Sequence, residues 1–109
     1  MKISPATSYD DMIKRRIRRD PEFASELFNG AVSGLFEGDF RYALRTLRCI
    51  VSAGIGFSAL SRSVGISSQN LHRALSDRGN PTIRTLNRIL SAIADALGVS
   101  RPSSAMLAS

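Results

Sequence analysis

The chain has no tryptophan, and its five phenylalanines and two tyrosines make up an aromatic content of only 6%. A core without many large rings has to be filled by Leu, Ile, Val and Ala, which suits small helices packed closely together. A single cysteine, Cys49, excludes an intramolecular disulfide, and its neighbours Leu47, Ile50 and Val51 mark it as a small core residue. His72 is the sole histidine, so the sequence offers neither a Cys/His pair for nucleophilic catalysis nor a metal-ligand cluster. Glycines occur in GAVSG and GIG, but neither spacing matches a phosphate-cradling loop. The carboxylates Asp10, Asp11, Glu22 and Glu26 stand near arginines and read as helix caps or surface pairs rather than a catalytic acid–base pair. No enzyme, cofactor or metal is therefore expected. Period-two alternation is missing as well, which argues against strands, and no apolar run reaches the length of a membrane span. Met1 to Thr7 holds one lysine and no hydrophobic stretch, so no signal peptide is expected and the chain is expected in the cytoplasm.

Negative charge is the other scarcity. The 109 residues carry fifteen Lys/Arg against nine Asp/Glu, a net charge of +6 with a pI near 10.7. Residues 1–55 hold nine basic and seven acidic side chains, whereas residues 56–109 hold six arginines and two aspartates. A basic excess favours an acidic partner such as nucleic acid, and its concentration in the second half says where to look.

What is present is helical periodicity. Residues 1–8, with Pro5 and small polar side chains, read as a flexible arm. DDMIKRRIRR, Asp10 to Arg19, reads as a short helix with acids in its first turn and arginines in its last, an order that suits the helix dipole. Its cluster Lys14, Arg15, Arg16, Arg18 and Arg19 reads more readily as a solvated face than as a phosphate patch. Asp20-Pro21 restarts the chain as cap and first position of a helix, with an apolar stripe of Phe23, Leu27, Val32, Leu35 and Phe36. Gly30 and Gly34 interrupt it and are costly unless something packs closely there. Gly38-Asp39 ends that helix and caps the next, where Phe40, Leu44, Leu47 and Val51 recur to Ala53. After the turn signal Asp77 to Pro81, Thr82 caps a last helix carrying Ile83, Leu86, Ile89, Leu90, Ile93 and Leu97, ended by Gly98. Residues 100–109 read as a flexible tail. The expectation is an all-α domain of five to six helices.

The stretch that organises the chain is FSALSRSVGISSQNLHRALS, Phe57 to Ser76. Phe57, Leu60 and Val64 fall on one helix face, and Leu71 and Leu75 on another, with Gly65 between them at a tight turn. Ser61 is small enough to let the two helices cross, Ile66 plugs the turn, and Ser67 is placed to cap the second helix. The outward face of that helix is Ser68, Gln69, His72, Arg73 and Ser76, with no carboxylate. Two helices joined by a short glycine turn are the unit that sets one helix into a DNA major groove. Gln69 can pair bidentately with adenine, and Arg73 with guanine or with a phosphate.

Phe57 to Val99 resembles the XRE/Cro-type, lambda-repressor-like helix-turn-helix of phage repressors. More closely, LFEGDFRYALRTLRCIVSAGIGFSALSRSVGISSQNLHRALSDRGNPTIRTLNRILSAI, Leu35 to Ile93, resembles the addiction-module antidote family related to HigA-type antitoxins, with RALSDRGNPTIRTLNRIL its most specific part. The resemblance implies a cytoplasmic DNA-binding antitoxin of a type II toxin–antitoxin module, commonly dimeric, that neutralises a RelE/HigB-like toxin and represses its own operon. By position it implies DNA contact at Ser67, Ser68, Gln69 and Arg73, and phosphate contact at Ser58. Many phage repressors have the longer glutamine where Ser58 and Ser68 stand. Arg78 and Arg84 flank the turn after the second helix and read either as backbone contacts or as solvated arginines. His72 completes the candidate DNA face. Residues 9–54 are expected to serve dimerisation or toxin contact, with Tyr9 to Phe36 the candidate toxin surface, and residues 55–99 to form the DNA-binding region. A homodimer on a palindromic operator is expected, its interface drawn from the Phe23–Phe36 stripe or the Leu86–Leu97 helix. The alternatives are an XRE-type regulator with no toxin partner, an interaction module that has lost DNA binding, and a small basic ribonuclease toxin, which the absence of strand patterns disfavours.

Overall fold

In the computed structural model, which describes residues 5–99 (5–8 as backbone only), six helices follow one another with no strand among the described residues. They are α1 (Pro5–Arg19), α2 (Pro21–Glu37), α3 (Phe40–Ala53), α4 (Phe57–Val64), α5 (Ser68–Ala74) and α6 (Ile83–Leu97). This is the all-α architecture that the periodicity predicts. Helices α1, α2 and α3 pack on one another, α4 packs on α5 and α6, and contacts of α3 with α4 and α2 with α6 join the two groups. Both groups share one buried cluster, from Ile17 and Phe28 through Leu47 and Leu60 to Leu71 and Ile93. The boundary drawn near residue 54 therefore marks a difference of expected role, not a break in the core.

The first helix begins earlier than expected. It starts at Pro5, inside the stretch read as an arm, so Asp10 and Asp11 lie beyond its first turn and do not serve its N-terminal dipole. Asp10 instead meets Arg45 of α3 at 3.2 Å. Residues 1–4 and the expected tail, 100–109, lie outside the described residues.

Helix α2 starts as predicted, with Pro21 at its first position and the Asp20 carboxylate accepting from the Phe23 N–H at 3.2 Å. Its core face is different from the predicted stripe. Ala24, Phe28, Ala31 and Gly34 are buried, while Phe23, Leu27, Val32 and Leu35 are only partly covered and Phe36 stands 86% exposed. The reason is the close approach of α3. A Cβ on Gly34 would lie 3.2 Å from the Tyr42 ring, and one on Gly30 would lie 3.3 Å from the Tyr42 hydroxyl. Small residues face α3, and the bulkier ones are displaced to the flanks. Two further apolar positions are corrected: Phe40 and Ile83, predicted as members of helix stripes, are 58% and 87% exposed. Asp39 stands at the start of α3, but its side chain makes no capping hydrogen bond.

Candidate nucleic-acid interface

The α4–turn–α5 unit is held from four sides. Gly65 ends α4 at φ 71°, left-handed backbone that glycine adopts without steric cost, and its N–H bonds the Ser61 carbonyl at 2.9 Å. The Ser61 hydroxyl donates to the Ile66 carbonyl at 2.5 Å, across the turn. Ser67 caps α5, its hydroxyl accepting from the Asn70 N–H at 3.1 Å. From α6, the Arg88 guanidinium donates to the Val64 carbonyl at the end of α4. Beneath this shell Leu60, Val64, Leu71 and Leu75 are buried, as their spacing predicts.

The far end of α5 is held by α3. Arg48 donates to the Leu75 carbonyl at 2.7 Å and meets the Asp77 carboxylate at 3.3 Å. Arg18 of α1 does the same for α3, its Nε donating to the Ala53 carbonyl at 3.2 Å. Arg18, Arg48 and Arg88 thus each place a cation on a part-buried carbonyl at another helix's C-terminus, where the dipole favours it. Arg16 is also turned to the fold, over the Phe23 ring at 4.1 Å and near Asp20 at 3.9 Å. Part of the basic excess therefore serves the fold itself. Sequence reasoning missed these roles, because the partners are 24 to 35 residues away.

The eight candidate DNA-contacting residues divide into two groups. Ser67 is committed as a cap. Ser68 is half-buried, and its hydroxyl reaches the Phe57 carbonyl at 3.5 Å. The His72 ring, expected to face a groove, lies flat on the Phe57 ring, with centroids 3.7 Å apart and planes at 17°. Ser68 and His72 tie the start of α4 to α5, and the Ser67 hydroxyl is taken up in capping α5. Ser58, Gln69, Arg73, Arg78 and Arg84 are exposed, and their side chains make no hydrogen bond or ion pair among the described residues. Arg62, on the last turn of α4, is likewise exposed and unpaired, and its spacing from Ser58 on one helix side was the signal that could have found it. Arg78 and Arg84 follow the other end of α5, and Arg84 stands next to exposed Ile83.

Cys49 is partly covered between α1 and α3. Burial pushes its thiol pKa up and Asp10 adds to this, while Lys14, Arg48 and Arg45 pull the other way. The net effect favours the protonated, unreactive form. Among the described residues no group of three or more His, Cys, Asp or Glu could hold a metal ion, and no single helix is long and apolar enough to cross a membrane.

What the arrangement can do chemically is present a short helix, bonded at both ends, with an amide and a guanidinium directed outward one turn apart, and no carboxylate between them. No protein-family model matches this chain, and neither a curated protein nor a solved structure matches it.

Proposed function

We propose that this chain is a sequence-reading double-stranded DNA-binding protein, the antitoxin of a type II toxin–antitoxin pair that represses its own operon in the cytoplasm. The observation that carries the DNA reading is the pair Gln69 and Arg73. They are exposed and unpartnered on a helix whose opposite face, Leu71 and Leu75, is fully buried. A reader needs that combination of a fixed backbone and free side-chain ends. Ser58 and Arg62 supply phosphate contacts on one side and Arg78 on the other. The antitoxin part rests on the resemblance of Leu35 to Ile93 to HigA-type antitoxins and on nothing else.

Fluorescence anisotropy with the DNA upstream of the protein's own gene, against unrelated duplex at two salt concentrations, tests the reading. Gln69→Ala should lose about 1–3 kcal/mol of preference at one base position with nonspecific affinity kept. Arg73→Ala should relax specificity at one position if it reads guanine, or lower the log–log salt slope by about one if it holds phosphate. Ser76→Ala, whose hydroxyl bonds the Arg73 carbonyl at 2.8 Å, should change little. If folded Gln69→Ala and Arg73→Ala both bind like the parent, α5 is not the reader. The toxin part is tested by co-expression with the product of the adjacent reading frame. Failure to bind or neutralise it would leave a regulator without a toxin.

A further inference from the structure

A cavity of about 470 Å³ lies where the α1–α2 corner meets the ends of α3 and α6. That is room for a small organic molecule. Its floor is aliphatic: Ile17, Ala24, Ile50 and Ile93 are all buried. Exposed residues stand at the rim, among them Pro21, Ala96 and Arg18. Gly54 and Ile55, the link that leads into α4, also line it, so an occupant touches both groups of helices.

Arg18 alone carries charge among the described residues of this lining. Its Nε–H is spent on the Ala53 carbonyl at 3.2 Å. The two terminal nitrogens, Nη1 and Nη2, have no hydrogen bond or ion pair among the described residues. The C-terminal pole of α3 presents about half a negative charge, whereas the guanidinium carries a full positive one. Roughly half a positive charge is therefore left over, beside an aliphatic floor and with no carboxylate in the lining. A free Nη1/Nη2 edge is the fork that takes a carboxylate through two parallel N–H···O bonds. A phosphate monoester, at about 1.5–2 negative charges, exceeds what this one cation balances. An uncharged molecule leaves the fork unused.

We propose that this cavity binds a small carboxylate with an apolar body. Arg18 holds the carboxylate at the rim, and Ile17, Ile50 and Ile93 cover the body. A medium-chain fatty acid is the simplest member of the class. This site lies beyond the DNA reading proposed above and is measured without DNA, so failure of either leaves the other standing.

The probes are octanoate and its neutral counterpart octanol, titrated into the isotope-labelled full chain and followed by amide shifts. Octanoate should move amides around Ile17, Ala24, Gly54 and Ile93, and bind about tenfold or more tighter than octanol, as hydrogen bonds to a charged group do. Arg18→Met keeps the stem and removes the fork, so octanoate should fall to octanol's affinity while octanol is unchanged. Arg18→Lys keeps the charge without the planar fork and should lie between. Ala96→Phe, at an exposed position, fills the cavity and should stop both probes in a chain with parental circular dichroism; it carries the test if Arg18→Met unfolds. No octanoate binding at millimolar concentration overturns the proposal. Octanol as tight as octanoate overturns it too, as does a folded Arg18→Met chain that keeps the preference. Undiminished binding by folded Ala96→Phe, or shifts gathered away from the cavity, has the same force.

Discussion

Arg48 shows how much a single side chain on one helix decides about another. Its guanidinium bonds the Leu75 carbonyl and the Asp77 carboxylate, so the end of α5 is fixed to α3 by charge-assisted contacts. Arg48→Ala should cost about 1.5–3 kcal/mol, because the carbonyl loses a charged donor in a partly buried place. Arg48→Lys should recover only part of it, since an ammonium cannot match the planar fork. Urea unfolding measures both, and an Arg48→Ala midpoint equal to the parent's would contradict this role. Nothing in the sequence pointed to it. Arginine at 41, 45 and 48 reads as one polar side of a helix, and only the folded chain shows which of the three meets a carbonyl. Local chemistry was easier to read: the Ser67 cap and the Gly65 turn are decided within a few residues and stand as expected, while Ser61, read for its small size, bonds across the turn to the Ile66 carbonyl. His72 fell between these cases, because its outward spacing was right while its stacking on Phe57 depends on the angle between α4 and α5.

At the scale of the element, α2 is the instructive helix. Reading bulk as burial selected Phe23, Leu27, Val32, Leu35 and Phe36, yet the core side is Ala24, Phe28, Ala31 and Gly34. Both sets have helical spacing, so periodicity alone does not choose between them. The deciding feature is the closeness of α3, for which the two glycines were the signal. Gly30 and Gly34 should then respond differently to substitution. Gly30→Ala meets only the hydroxyl end of a half-exposed tyrosine and should stabilise by up to about 1 kcal/mol through helix propensity. Gly34→Leu meets the Tyr42 ring, the Asp39 carbonyl and the Ala43 Cβ together, and should destabilise by about 1–3 kcal/mol through overpacking. Thermal unfolding followed by circular dichroism separates them, and equal shifts for the two variants would contradict the packing described. Helix existence and order were legible throughout, from caps and turns. The start of α1 was not, because Pro5 reads equally well as an arm residue and as a helix's first position.

For the whole molecule, the shared core has a practical consequence. Phe28 and Ala31 of the front helices are buried with Leu47 and Leu60, so deleting Tyr9 to Phe36 would remove core and not merely a surface. A toxin footprint on that segment is better mapped by exposed substitutions. The charge of the chain also divides by use: Arg18, Arg48 and Arg88 close helix ends, while Gln69, Arg73 and their exposed neighbours face outward from a rigid support. The central claim is that this outward face reads DNA sequence. Its most direct measurement is enrichment of bound sequences from a random duplex pool, by the parent and by Gln69→Ala in parallel. The parent should select a motif with two symmetric halves about one helical turn, roughly 34 Å, apart, and Gln69→Ala should select the same motif relaxed at one base of each half. No enrichment by the folded parent, or the same motif from both proteins, would contradict it.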